Sequence, residues 1–192
     1  GPIPWERAWP LFEQLLNAVG YLHGEQIVHR DIKPENVLVG ADGALKLLDL
    51  GIAKDADSSK TRTGTGMGTV DYMAPEQHTD AANVDARADV YALGMTLYEM
   101  LAGHTPFEGP SSADFMRQHL HHPPAPLSES CPDIPDGMLM TVERLLRKSP
   151  SDRFSDWTSV AESLRRLVAR ATVQAGPMDT PSLDPPPEPY RF

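Results

Sequence analysis

The chain has 192 residues, with 17 Lys plus Arg against 27 Asp plus Glu and a formal charge of −10. That length suits one compact domain with or without a tail, and 40% apolar residues are enough to bury a core. An acidic balance without a basic block argues against nucleic acid or an anionic membrane surface as the main partner. No stretch reaches the ~18 consecutive apolar residues of a membrane span. A single cysteine, Cys131, excludes an internal disulfide framework and a multi-Cys zinc site. The chain opens at Gly1 with no charged-then-apolar leader, and the expected compartment is the cytoplasm.

Leu11, Leu15, Ala18 and Leu22 form one apolar helical face. Pro10 lacks an N–H, so the regular part of this helix is expected to begin at or near it and to end near His23-Gly24. Val37-Leu38-Val39, a turn at Gly40-Ala41-Asp42-Gly43, and Leu45 to Leu48 read as a hairpin with a four-residue loop. Residues 53–70 have the Lys, Asp, Ser, Thr and Gly content of a loop. From Asp85 to Ala102 apolar residues surround the helix on nearly every side, which marks a buried helix around which the rest packs.

Three more helices are predicted: Ser111 to His119, Asp136 to Arg147, and one from an N-cap at Ser155 to Ala171. Six of the nineteen prolines fall in the last sixteen residues. Residues 172–192 are therefore read as a flexible Pro-rich tail, a linker or else a polyproline ligand. The fold class is mainly α with a small β-hairpin.

Chemistry concentrates at the hairpin. His29-Arg30-Asp31-Ile32-Lys33-Pro34-Glu35-Asn36 precedes it and Asp49-Leu50-Gly51 follows it. Two strands joined by a tight turn return the chain to its starting end, so Asp31, Asn36 and Asp49 should converge there. Asn36 and Asp49 offer hard oxygen ligands suited to Mg²⁺. Asp31 is a carboxylate able to accept a proton from a hydroxyl, and Lys33 is a compact charge suited to a phosphoryl group in transfer.

With these residues the chain resembles the C-terminal lobe of a eukaryotic-like, bacterial-type protein Ser/Thr kinase over roughly residues 3–170. The resemblance implies ATP and Mg²⁺ as cofactors and the Ser/Thr hydroxyls of proteins as acceptors. It makes Asp31 the catalytic-loop base and Lys33 the lysine on the γ-phosphoryl group. It places Lys33, Glu35, Asn36, Leu38 and Asp49 on the ATP side, with Leu38 under adenine and Asn36 and Asp49 as Mg²⁺ ligands. Met73-Ala74-Pro75-Glu76-Gln77 matches the segment closing the activation loop.

The same resemblance pairs Glu76 with Arg153, ties the catalytic-loop backbone to Asp89, puts His29 in the hydrophobic spine, makes the Val70-Asp71-Tyr72 stretch part of the substrate-docking segment, and has Thr69, just before it, bond Asp31 and Lys33. Thr61 and Thr63 become candidate autophosphorylation sites whose phosphate Arg30 would engage. The bland readings prevail elsewhere. His119, His121 and His122 beside Pro123-Pro124 are scaffolding rather than a metal cluster, and Cys131 is no nucleophile.

Two features depart from the family. Leu50 replaces the usual Phe between Asp49 and Gly51. Nothing before residue 5 can supply a Gly-rich loop, a strand lysine or its glutamate partner, so the N-terminal lobe is absent. Residues 1–171 then form the C-lobe of a fragment, inactive by itself, with the missing lobe supplied by the same longer chain or in trans. A bare cleft would expose apolar surface around Leu38. The alternative is a non-catalytic, kinase-like interaction module.

Overall fold

In the computed structural model the described residues are 1–49 and 70–175, the last six as backbone only. Helix α1 spans Trp5–Gly24, β1 Val37–Val39 and β2 Leu45–Leu47. Then follow α2 (Pro75–Thr79), α3 (Arg87–Ala102), α4 (Ser112–His121), α5 (Leu127–Ser130), α6 (Asp136–Leu145) and α7 (Trp157–Ala175). Short 3-10 turns at Pro34–Asn36, Val70–Tyr72, Ala81–Asn83 and Pro150–Asp152 join them.

Helix α3 is the axis of the molecule. All its residues are buried except Arg87 and Glu99, as expected for a helix with apolar groups all round. Helices α1 and α6 pack on it, and α7 closes the far side against both of them. At the α3–α6 crossing a Cβ on Gly94 would sit 2.6 Å from the Cβ of Leu145, so only glycine permits that approach.

Helix α1 starts five residues before Pro10, not at it. Pro4 precedes the first turn, and Ala8 and Phe12 are already buried in the core. Pro10 lies on the exposed face, where water can satisfy the Glu6 carbonyl that the missing N–H would have served. Packing of the apolar face outweighs the lost bond. Helix α7 is capped by Asp156, whose Oδ1 accepts from the Ser159 N–H at 2.8 Å, rather than by Ser155. Ser155 instead donates to Asp156 at 2.9 Å. The helix runs to Ala175, four residues past its expected end.

The strands pair antiparallel with Val37 opposite Leu47 and Val39 opposite Leu45. Five residues, Gly40 to Ala44, separate them rather than four, because Gly40 N–H donates to the Ala44 carbonyl as the turn closes. Gly43 takes φ +76°, the left-handed geometry a glycine adopts without cost. Gln14 on α1 clamps this hairpin: its Nε2 donates to the Gly43 carbonyl at 3.1 Å and its Oε1 accepts from Leu45 N–H at 2.9 Å.

Candidate active site

The segment between α1 and β1 is held from below by one buried carboxylate. Asp89, near the start of α3, is fully buried. Its Oδ2 accepts from the His29 N–H and its Oδ1 from the Arg30 N–H, both at 2.8 Å. His23 Nε2 reaches the same Oδ2 at 2.8 Å. Arg30 has φ +64°, a conformation a non-glycine residue holds only when its surroundings over-determine it. Here its N–H is fixed by Asp89, and its carbonyl accepts from Gln77 Nε2 at 3.1 Å.

On this anchored loop the polar side chains meet. Asn36 Nδ2 donates to the Asp31 carbonyl at 2.7 Å and to Asp31 Oδ2 at 3.2 Å. Lys33 Nζ stands 3.5 Å from the same Oδ2, with both side chains largely buried. Both amide bonds of Asn36 run through its nitrogen, which leaves Oδ1 as the acceptor it can offer to a cation.

Asp49 comes to this end through its neighbour. Leu48 N–H donates to the Asn36 carbonyl at 2.8 Å, and the Leu48 carbonyl is engaged by His29 Nε2 at 3.1 Å. Asp49 is exposed and takes φ +50°, a left-handed conformation Asp tolerates better than most residues. Leu38, on the outward face of β1, is 50% exposed, and Leu48 beside it is also exposed. Glu35 is exposed as well. Leu50, Gly51, Thr61, Thr63 and Thr69 lie outside the described residues.

The opposite wall is the strip Val70–Tyr72 and the helix that follows it. Tyr72 donates to the Glu99 carboxylate of α3. Burial, with the Glu99 bond second, drives the Tyr72 hydroxyl pKa far up, so it stays a donor. Burial also raises Glu99 and Asp71, and the charge of Glu35 adds to both. Behind this wall Arg153, 2% exposed, grips Glu76 with two parallel bonds of 2.6 and 2.7 Å. Its remaining N–H groups go to the carbonyls of Arg87, Arg147 and Lys148. A guanidinium with a bidentate partner and three carbonyls is fully satisfied despite its burial.

Several residues of this wall carry no local sequence signal. Gln77 is one: besides its bond to Arg30, its Oε1 accepts from the Ala74 N–H at 2.9 Å, capping α2. His119 is another, as is His23 beneath the catalytic loop, because their partners lie on elements remote in sequence. Of the three adjacent histidines, His121 and His122 are exposed, while both ring nitrogens of buried His119 bond protein atoms. Cys131 donates its thiol to the Leu101 carbonyl at 3.0 Å. Among the described residues no group of three His, Cys, Asp or Glu side chains could hold a metal ion.

Comparison with known proteins fits this arrangement. The family model for the protein kinase domain matches residues 2–166. The serine/threonine-protein kinase pkn2 of Myxococcus xanthus is 37% identical over 97% of this chain and 24% of its own length. The serine/threonine-protein kinase PknB of Mycolicibacterium smegmatis is 36% identical over 87% of the chain and 27% of its own length. The serine/threonine-protein kinase drp72 of Corynebacterium efficiens is 39% identical over 85% and 31%. The chain thus spans 24–31% of the length of these curated relatives. With a helical lobe, one hairpin and a family match over most of its length, the chain belongs to the protein kinase family, in its bacterial Ser/Thr branch.

Proposed function

We propose that this chain is the catalytic lobe of an ATP- and Mg²⁺-dependent protein Ser/Thr kinase, comprising residues 1–171, followed by the last turn of α7 and a Pro-rich tail. One observation carries the reading: a carboxylate, a lysine and an amide, Asp31, Lys33 and Asn36, held in mutual contact on a loop that a buried aspartate fixes from beneath. Asp31 accepts the proton of the attacking Ser or Thr hydroxyl as its oxygen bonds the γ-phosphorus and ADP leaves. Lys33 stays beside Asp31 and faces the phosphoryl oxygens, where a point charge offsets the charge that builds up in transfer.

The donor set suits magnesium. Asn36 Oδ1 and the exposed Asp49 carboxylate are hard oxygens, and Mg²⁺ takes only one or two protein ligands alongside phosphates and water. Bound there, the ion would neutralise phosphate charge. Leu38 supplies the apolar surface under the base, and its exposure supports a lobe that is completed from elsewhere, by the same longer chain or by another. In the same reading Arg30 receives the phosphate of Thr61 or Thr63, while Thr69 braces Asp31 and Lys33.

The test is phosphate transfer from ATP and Mg²⁺ to myelin basic protein by the full natural chain that carries this sequence. Its Asp31→Asn variant is expected to lose roughly 10²–10⁴-fold in kcat. Equal activity of the two proteins, or none in either, sinks the reading and favours a non-catalytic docking module. The 192-residue chain alone is expected to transfer no measurable phosphate, lacking half of the nucleotide site.

A further inference from the structure

His119 is a buried, fully bonded histidine that the phosphoryl-transfer chemistry does not use. It stands on α4 at 0% exposure. Its Nε2 lies 3.0 Å from the carbonyl oxygen of Asp71. A carbonyl only accepts, so Nε2 carries the proton, and Nδ1 is then the acceptor. The Tyr91 hydroxyl of α3, 2.8 Å away, donates to that Nδ1. The two partners select one neutral tautomer.

The surroundings keep the ring neutral. Phe107 packs against it in a T-shaped pair at 4.8 Å, and Tyr91 and His78 lie at 5.7 and 6.0 Å between centroids. Lys148 Nζ sits 4.4 Å above Phe107 and donates to the Gln118 carbonyl at 3.0 Å. The Arg153 guanidinium lies over the Tyr91 ring at 4.8 Å. Burial first, then Lys148 and His78, press the His119 pKa down to about 3, against a smaller upward pull from the Asp71 carbonyl.

The bridge links two walls of the site to one helix. Asp89 and Tyr91 are two positions apart on α3, about 200° around its axis, and so leave it on opposite sides. Asp89 holds the backbone that carries Asp31. Tyr91, through His119, holds Asp71 in the strip Val70–Tyr72. Tyr72 is tied to the same helix at Glu99, but this fixes only the far end of the strip.

We propose that His119 is a positioning residue for the protein substrate: as a neutral bridge from the Tyr91 hydroxyl to the Asp71 carbonyl, it sets the Val70–Tyr72 strip, on which the acceptor peptide docks, in register with Asp31. The proposal rests on the kinase reading for the identity of what docks there, and on geometry alone for the bridge. Helix α4 thereby joins the substrate site without touching the nucleotide.

The experiment compares the full natural chain with its His119→Leu, His119→Gln and Tyr91→Phe variants. Two readouts are taken: KM and kcat for myelin basic protein and for ATP, and amide hydrogen exchange over residues 70–74. Leucine fills the space but donates nothing. It should raise the KM for the protein acceptor about fivefold to tenfold, the worth of one buried hydrogen bond, with kcat and the KM for ATP within twofold. Exchange over 70–74 should rise by a similar factor while α3 stays protected. Glutamine, which can still donate to Asp71, should recover most of the loss, and Tyr91→Phe should weaken docking less than leucine does.

A folded His119→Leu protein with wild-type acceptor KM and unchanged exchange overturns the proposal. So does a loss that glutamine fails to relieve, or one that strikes ATP and acceptor alike. Should the leucine variant not fold, glutamine and Tyr91→Phe decide by the same criteria. If even the wild-type chain transfers no phosphate, the kinase reading has failed separately, and the exchange comparison by itself decides whether the bridge positions the strip.

Discussion

The two walls of the site are built in opposite ways. On the strip side, the main polar side chains are answered within the chain: Arg153 by Glu76 and three carbonyls, His119 by Tyr91 and Asp71, Tyr72 by Glu99. Asp71 Oδ1 and His78 Nε2 are buried without a hydrogen-bond partner among the described residues. On the hairpin side, Leu38, Leu48, Glu35 and Asp49 stand exposed. The difference teaches where this sequence has spent its packing. The wall that would receive a protein acceptor is held mostly by the chain's own buried contacts, whereas the wall that would receive a nucleotide is a half-surface.

That contrast can be broken at four places. The largest expected effect is Arg153→Met. It strands Glu76 and three carbonyls in a buried setting, and should cost about 3–5 kcal/mol of unfolding free energy in urea titrations. A loss below about 1 kcal/mol would mean that this wall is not held by the pair. Next comes acid. The folded-state pKa of His119 lies near 3, well below the ordinary value of 6.5, so the unfolded chain binds the extra proton. Stability contributed by keeping this ring neutral is therefore full above pH 6.5 and declines as pH falls toward 3. The decline should be about 2 kcal/mol by pH 5, and His119→Leu should flatten that limb of the stability–pH curve. Half-buried His78, also shifted down by burial, adds a part with the same sign.

A smaller loss is expected from Gly94→Val, which forces α3 away from Leu145 and should lower stability by about 1–3 kcal/mol, read as a shift in the urea midpoint. The smallest belongs to the open wall. Leu38→Ser, at a half-exposed position, should change stability by less than about 0.5 kcal/mol, while raising the KM for ATP of the full chain. If Leu38→Ser unfolds the chain, the hairpin wall is part of the core and the contrast drawn here is wrong.

Alkaline pH sharpens the same comparison. Lys148, packed on Phe107 and beside Arg153, has its pKa pulled from 10.5 to about 8, first by burial and then by Arg153. The unfolded chain holds this proton longer, so the contribution of Lys148 to stability should grow between pH 8 and 10.5, against the opposite contributions of Cys131, Tyr72, Tyr91 and Tyr98, whose pKa values burial raises. Lys148→Met should abolish that contribution, read as a flatter rise of the urea midpoint between pH 8 and 9 than in the parent chain.

Much of this architecture is legible in one dimension. The buried helix α3 announces itself by apolar residues on every side, and the hairpin by its glycine turn. Asp31, Lys33 and Asn36 lie within one short loop, so their meeting follows from local geometry. Helix ends were less readable. Pro10 suggested a start that the core, by burying Ala8 and Phe12, moved five residues upstream. Ser155 looked like the cap that Asp156 provides. In each case a tertiary contact or a neighbouring side chain decided between two locally acceptable choices.

The sequence by itself determined the fold class, the family and the order of the polar groups along the catalytic loop, because those depend on spacing within a few turns of chain. Only the tertiary structure decided which of three adjacent histidines is buried, which tautomer it holds, and that Gln77 and His23 brace the loop. Those roles depend on partners dozens of positions away. A hydrogen bond has no sequence signature until folding removes the water that would otherwise satisfy both of its ends.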